Sequence, residues 1–555
     1  MRARGVSAIA AVLWLTGLPA LGSTPPPPSR ERGLALLGRG EVAAALVELR
    51  AAAVASPENA ATHDSLGVAL GESGLLAAAV ASFREAIRLE PHRAEAHFHL
   101  GVVLDRLGQT REAVTALESA MRLDPRSAEA RYGLGVVLAR LGDLDGAIRL
   151  LRDVARAMPN LPEAHYDLGL HLWNRYRAGR GLPQPTDLDE AERALRRAVE
   201  LDPAQPKPRL ALGQLLAGRQ RVDEAVEHLR QAAKAAGNAP AYAYDLGLGL
   251  RLQGDLEGAE SSLRVALAGD PKHGQARRAL GLVLREKGRL DEATVELRLS
   301  VAERPADAQG HNVLGTVLQK LGDVDGAVEE FKQAVRLDPR LTEGHVNLAQ
   351  ALSKAGRKEE ARAALATARE LKEQETGFAR AMVLVGMATG QIEKGALNAA
   401  VSNLREAVTA APDFPEAHST LGLALGLRPD GSAEAADAAL RAVQLEPGRA
   451  RFRVEWARHL TARGDTDGAL DQLRQAALLQ PSLVEAHRDL AAVARRAGEA
   501  RAALAASRTV LAWEPGDEAT RRALAALLES LGEREEAARE RAAAKQAEAA
   551  HGPRR

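Results

Sequence analysis

Apolar residues in this chain fall at helical spacing in short paired stretches. In Ala94 to Ser127, Leu100, Val103, Leu104 and Leu107 lie on one face of a helix. Ala113, Leu117, Ala120 and Leu123 do the same for a second helix. Gly108 stands between the two, where a helix end favours a left-handed residue. Pro125 closes the second helix and opens the connection onward. The pattern then repeats in phase. Prolines fall at 57, 91, 125 and 159, at 271, 305 and 339, and at 412, 447, 481 and 515. Glycine recurs at 67, 101, 135, 169, 213, 247, 281 and 315, with leucine three residues after each. Glycine inside a helix costs about 1 kcal/mol against alanine. Its recurrence points to close helix contact, with Ala113 expected to pack where Gly101 has no side chain.

One such unit cannot bury its own apolar face, so the units must stack. The unit AEAHFHLGVVLDRLGQTREAVTALESAMRLDPRS, residues 94–127, resembles the tetratricopeptide repeat (TPR). The resemblance runs along almost the whole chain. It implies an all-α fold, an α-solenoid wound as a right-handed superhelix of about 14 stacked 34-residue helix-turn-helix units. Units register at 26, 60, 94, 128, 162, 206, 240, 274, 308, 342, 381, 415, 450, 484 and 518. The expected organisation is a signal peptide over 1–22, then a Pro-rich linker and degenerate first unit over 23–59. A main array over 60–375 and a second block with a capping helix over 376–551 follow, with a tail at 552–555. Two irregularities interrupt the period. Ten extra residues lie around Arg175 to Asp187, and five, Thr376 to Arg380, are expected to form a hinge or a longer turn.

Composition narrows the function. Lys+Arg and Asp+Glu are both 74 in 555 residues, so the chain lacks the excess of basic charge expected of a nucleic-acid binder. Cysteine is absent, which excludes disulfides, thiolate metal sites and a Cys nucleophile. Arg2 and Arg4, the apolar run Val6 to Leu18 and the small residues Ala20 and Gly22 read as a cleavable export signal. The run is too short to span a bilayer comfortably, and no other long apolar run follows, so the mature chain is expected to carry no membrane span. The expected location is the periplasm or the cell envelope.

No catalytic motif is present. Strings such as Gly133-Leu-Gly135 lie inside expected helices, not after a strand, so they do not cradle phosphate. His63, His97, His165, His311, His345, His418 and His487 share the fourth position of their units. Lying a unit apart, they do not converge on a metal, and a packing role is expected. The chain is therefore expected to be neither an enzyme nor a cofactor or metal binder. Recognition remains. The resemblance implies that positions 2, 5, 9, 12 and 13 of first helices face a concave groove. Position 5 holds Phe98, Tyr132, Tyr166 and Tyr244, and position 13 holds Arg106 and Arg140. Glu95, Glu129 and Glu163 at position 2 would form a rim. Aromatic and arginine side chains anchor binding hot spots. Two readings stay open: these aromatics line a groove for a peptide or helix across residues 94–205, or they fill gaps between helices. The insertion offers Trp173, Arg175, Tyr176, Arg177 and Arg180 as either a basic-aromatic loop for an anionic ligand or a solvated turn with Trp173 packed beneath it. The expected function is a protein-interaction scaffold binding an extended peptide or helix. The alternative is an accessory subunit of a polysaccharide or secretion assembly that binds through its outer faces.

Overall fold

The computed structural model describes residues 29–178, 185–428 and 432–551. The expected signal, most of the Pro-rich linker, Arg180 and the tail lie outside them. Among the described residues there are 29 α-helices and no strand, arranged as an α-solenoid of helix pairs. The unit starts read from the sequence coincide with helix starts: Ala94–Arg106, Ala128–Leu141, Pro206–Gly218, Gly274–Glu286 and Val484–Arg496 each open a unit. The chain forms two compact units, one of residues 29–171 with 421–551 and one of 172–420. They divide at 171/172 and 420/421, inside the helices Pro162–Arg177 and Pro415–Gly426.

In the units that carry glycine in the first helix, the helix pair is locked by a missing side chain. A Cβ on Gly101 would sit 2.6 Å from Leu117 Cγ and 3.2 Å from the Ala113 carbonyl oxygen. The Leu117 side chain fills the space, in place of the expected Ala113. Gly213 with Leu229 and Gly281 with Leu297 repeat the arrangement, while Gly67 and Gly315 admit the larger rings of Phe83 and Phe331. The turn glycine behaves as the spacing requires, with Gly108 at φ 79°.

The two irregularities resolve differently from expectation. Residues Lys358–Glu393 form one continuous helix, so Thr376 to Arg380 are neither hinge nor turn. The cause is visible in the residues. No proline stands between Pro339 and Pro412, and the stretch is rich in Ala, Glu, Lys and Arg, which favour helix. Around the insertion, the first helix extends over Pro162–Arg177 and the second starts early at Pro185. Trp173, Arg175, Tyr176 and Arg177 thus belong to a helix end, which corrects the loop reading for all four. Trp173 is buried, with its ring stacked on Tyr176 at 5.9 Å and Gly218 leaving room for it. Arg175 makes a forked pair with Asp187 at 3.0 and 2.8 Å, so its charge is matched. Arg177 is exposed and lies 5.8 Å over the Trp173 ring.

Candidate functional site

In the units that carry histidine or arginine at the fourth position, that side chain closes the turn before the unit. The proline that stops one unit leaves its carbonyl without a helical partner. His97 Nε2 donates to the Pro91 carbonyl at 3.1 Å, and His345 and His487 do the same to Pro339 and Pro481. Where the unit carries arginine, as at Arg209 and Arg453, the guanidinium reaches Pro203 and Pro447. Burial pushes the His97 and His487 rings below the usual histidine range, which keeps them neutral donors. Among the described residues no cluster of three or more His, Asp or Glu side chains could hold a metal ion.

Within residues 29–171, first helices of neighbouring units touch one another, as Ala60–Glu72 touches Ala94–Arg106 and that helix touches Ala128–Leu141. The residues on this face fall into rows 34 apart. Position 9 supplies Val68, Val102, Val136 and Leu170, all partly exposed. Position 2 supplies Glu95, Glu129 and Glu163 at the N-terminal end of each helix, and position 13 supplies Arg106 and Arg140 at the far end. Eleven residues of helix separate the two rows, or about 16 Å. The face therefore has an acidic edge, an aliphatic floor and a basic edge. Both arginines reach back one unit: Arg106 donates to the Gly71 carbonyl at 2.9 Å, and Arg140 pairs with Asp105. Glu95 pairs with Arg93 at 2.8 Å.

Position 5 does something else. Its side chain reaches position 6 of the next unit, 35 residues on. Arg30 donates to Ser65 Oγ, Asp64 bonds to the His99 ring, and Asn347 donates to Asn312 Oδ1. Tyr132 belongs to this ladder. Only 7% exposed, it donates its hydroxyl to Asp167 at 2.8 Å, and burial holds the phenol well above its usual range. Phe98 packs against the His99 ring at 5.5 Å and over Gly133, and it is only partly exposed. Tyr166 is partly exposed too. Tyr244 lies in the other compact unit, with its ring 4.9 Å from His273. The structure thus places Tyr132 in inter-unit packing, and it presents the position-9 aliphatics, which carry no aromatic signal, as the open apolar surface.

Two family models described as tetratricopeptide repeat match the chain, one over residues 65–109 and 100–162, the other over 184–246, 250–316 and 318–382. The chain belongs to the tetratricopeptide repeat family. TPR proteins bind protein partners, and this chain is a protein-interaction scaffold of that fold. No curated protein matches it. Among solved structures it is similar to YrrB, titled a TPR protein with an unusual peptide-binding site, at 24% identity over 34% of this chain and 91% of that one, TM-score 0.30. It is similar to MamA from Desulfovibrio magneticus RS-1 at 26% identity over 30% and 94%, TM-score 0.28. The Cut9–Hcn1 structure of the APC/C matches at 15% identity over 86% and 97%, TM-score 0.32. No described helix is long and apolar enough to cross a membrane.

The TPR ladder gives a direct expectation for Tyr132. Tyr132→Phe keeps the buried ring and removes one hydrogen bond, so stability should fall by about 0.5–1.5 kcal/mol in a denaturant titration. Tyr132→Ala opens a cavity as well and should cost about 3–5 kcal/mol. A groove test that uses Tyr132→Ala would therefore confuse unfolding with weakened binding.

Proposed function

We propose that this TPR chain holds an extended peptide or a helix of a partner protein across the first-helix face of residues 60–171. The observation that carries the reading is the aliphatic row Val68, Val102, Val136 and Leu170, left partly exposed between an acidic and a basic edge. Packed helices lie about 8–10 Å apart. An extended peptide in polyproline II geometry rises about 3.1 Å per residue with three residues per turn, so every third side chain shares a face and meets a rung of the row. A helix laid across the same rungs meets them with every seventh residue, about 10.5 Å on. Phe98, Tyr166 and Arg106 stand beside the row and add contact area. Random-peptide selection on the purified full chain tests this. Binders should carry apolar residues at one of these two spacings and lose binding to Val102→Asp/Val136→Asp. Binders without either spacing, or equally bound by the variant, would remove the proposal.

The export signal read from Arg2 to Gly22 supports a setting in the periplasm or cell envelope. Fractionation of cells expressing the full chain, with mass spectrometry of its N-terminus, tests that setting.

One observation favours docking through outer faces instead. In residues 172–420, Val265, Val295 and Leu299 of the second helices are 43%, 58% and 42% exposed. Val265→Glu with Leu299→Glu would abolish partner capture under that reading and leave it unchanged under the first.

A further inference from the structure

In a solenoid each unit ordinarily touches only its neighbours. The unit formed by residues 29–171 and 421–551 departs from this. The second helices Thr110–Leu123 and Leu144–Ala157 are covered on their outer side by the turn at Ser482 and the helix Ala500–Trp513. Asp143 carries the centre of the contact. It caps its own helix at Gly146 N, and it also accepts from Ser482 N and Ser482 Oγ, each at 2.8 Å. Arg149 donates to the Ser482 carbonyl at 2.8 Å and lies 4.5 Å over the Trp513 ring. Trp513 Nε1 donates to Glu118 Oε1 at 3.1 Å. Ser482 Oγ fills the space that the bare Gly146 leaves, 2.6 Å from where a Cβ would stand.

Glu118 is the residue that breaks the repeat. At its position other units carry Arg84, Arg152, Arg230, Arg264, Arg298 and Arg474. Some of those arginines pair along the outer face with an acid of the next unit, as Arg84 does with Glu112 at 3.1 Å. At residue 118 the sign is reversed, and the carboxyl is 8% exposed against an indole instead of a cation. A second carboxyl, Asp143, is buried beside it. Two neighbouring carboxyls in a dry contact disfavour each other's charge.

We infer that the C-terminal repeats form a clasp on residues 110–157 that closes with Glu118 protonated and loosens when Glu118 ionises. Burial, with the nearby Asp143, pushes the Glu118 carboxyl up to about 8. Burial raises Asp143 as well, against the pull of its hydrogen bonds from Ser482 and Gly146. The closed form binds the proton more tightly than the open form, whose carboxyl titrates near 4.5. Closure is therefore undiminished below about pH 4.5 and weakens by up to about tenfold per pH unit until about pH 8. Other charged groups also face the contact. Asp145 faces Gln480, and Arg149 is engaged by Ser482 and Trp513. Arg122, on the helix of Glu118, meets Arg508 as a like charge and Glu536 and Glu540 as opposite ones. At the margin Arg539 donates to His92 Nε2.

The chain has no cysteine, so dyes can be placed at Arg156→Cys and Leu478→Cys on exposed sites either side of the contact. Energy transfer in mild urea, where open and closed forms are both populated, reads the closure constant. From pH 6 to pH 9 it should fall roughly a hundredfold in the full chain. In Glu118→Gln, which keeps the acceptor and stays neutral, the Glu118 contribution should vanish and the change stay within about threefold. Comparing the two cancels every contribution that both chains share. Gly146→Ala, which pushes on Ser482, should lower closure at every pH and shows that the dyes report the clasp. Equal pH dependence in the full chain and Glu118→Gln, or none in either, overturns the inference. So does a signal that depends on protein concentration, because the contact would then lie between two copies.

Discussion

Phe331→Ala is expected to cost residues 308–337 about 3–5 kcal/mol of local stability. Phe331 is fully buried in the core of residues 172–420, and its ring occupies the space opened by Gly315, 2.7 Å from where a Cβ would be. Removing the ring leaves the glycine facing a void that neither helix can close alone. Phe331→Leu should cost less than about 1.5 kcal/mol, because it recreates the pair that Gly281 makes with Leu297 and Gly247 with Leu263. Hydrogen exchange of amides in 308–337 is the suitable measurement, since a stacked array need not unfold in a single step. A loss as small for Ala as for Leu would mean that the Gly–Phe contact does not hold the pair of helices together.

The second large effect concerns binding. Val102→Asp with Val136→Asp should weaken peptide binding by about a hundredfold or more, with helix content and melting unchanged. Each valine is partly exposed on the first-helix face, so the free protein accepts a carboxylate there at little cost. A bound peptide would desolvate both charges, which Arg106 and Arg140 one turn on offset only in part, and the burial of each valine side chain that the variant forgoes is worth about 1.5 kcal/mol or more. Titration calorimetry with a selected peptide measures the change. A fall in melting temperature of several degrees would instead assign these valines to the core.

The helix pairs are legible in the sequence because each unit carries its own punctuation. Proline stops the second helix, glycine turns the first, and both recur every 34 residues, which places Ala94, Ala128 and Val484 as helix starts. The long helix Lys358–Glu393 escapes this reading because the period runs on through a stretch where the punctuation fails; the absence of proline between 339 and 412 is its signal. The position-5 ladder is hidden by its chemistry. Arg30–Ser65, Asp64–His99, Tyr132–Asp167 and Asn312–Asn347 share one geometry and no residue type. Tyrosine at that position reads as a binding anchor, yet the ladder geometry turns Tyr132 toward the next unit. The resemblance turns position 9 to the groove as well, but its valines carry neither ring nor charge to mark them as anchors. Contacts such as Asp143–Ser482 and Glu118–Trp513 join residues 339 and 395 apart, which no local pattern encodes. The reversed charge at residue 118 is the one trace of that contact in the sequence.

The central claim is that a partner lies on the first-helix face of residues 60–171. A photocrosslinking amino acid placed at Val136, and separately at exposed Val265 on a second helix, tests it in living cells of the native host. Residue 136 is expected to give adducts to one protein, mapped by mass spectrometry to a short apolar segment, and residue 265 none to that protein. Adducts from residue 265 with none from residue 136 would contradict the claim and move recognition to the outer faces.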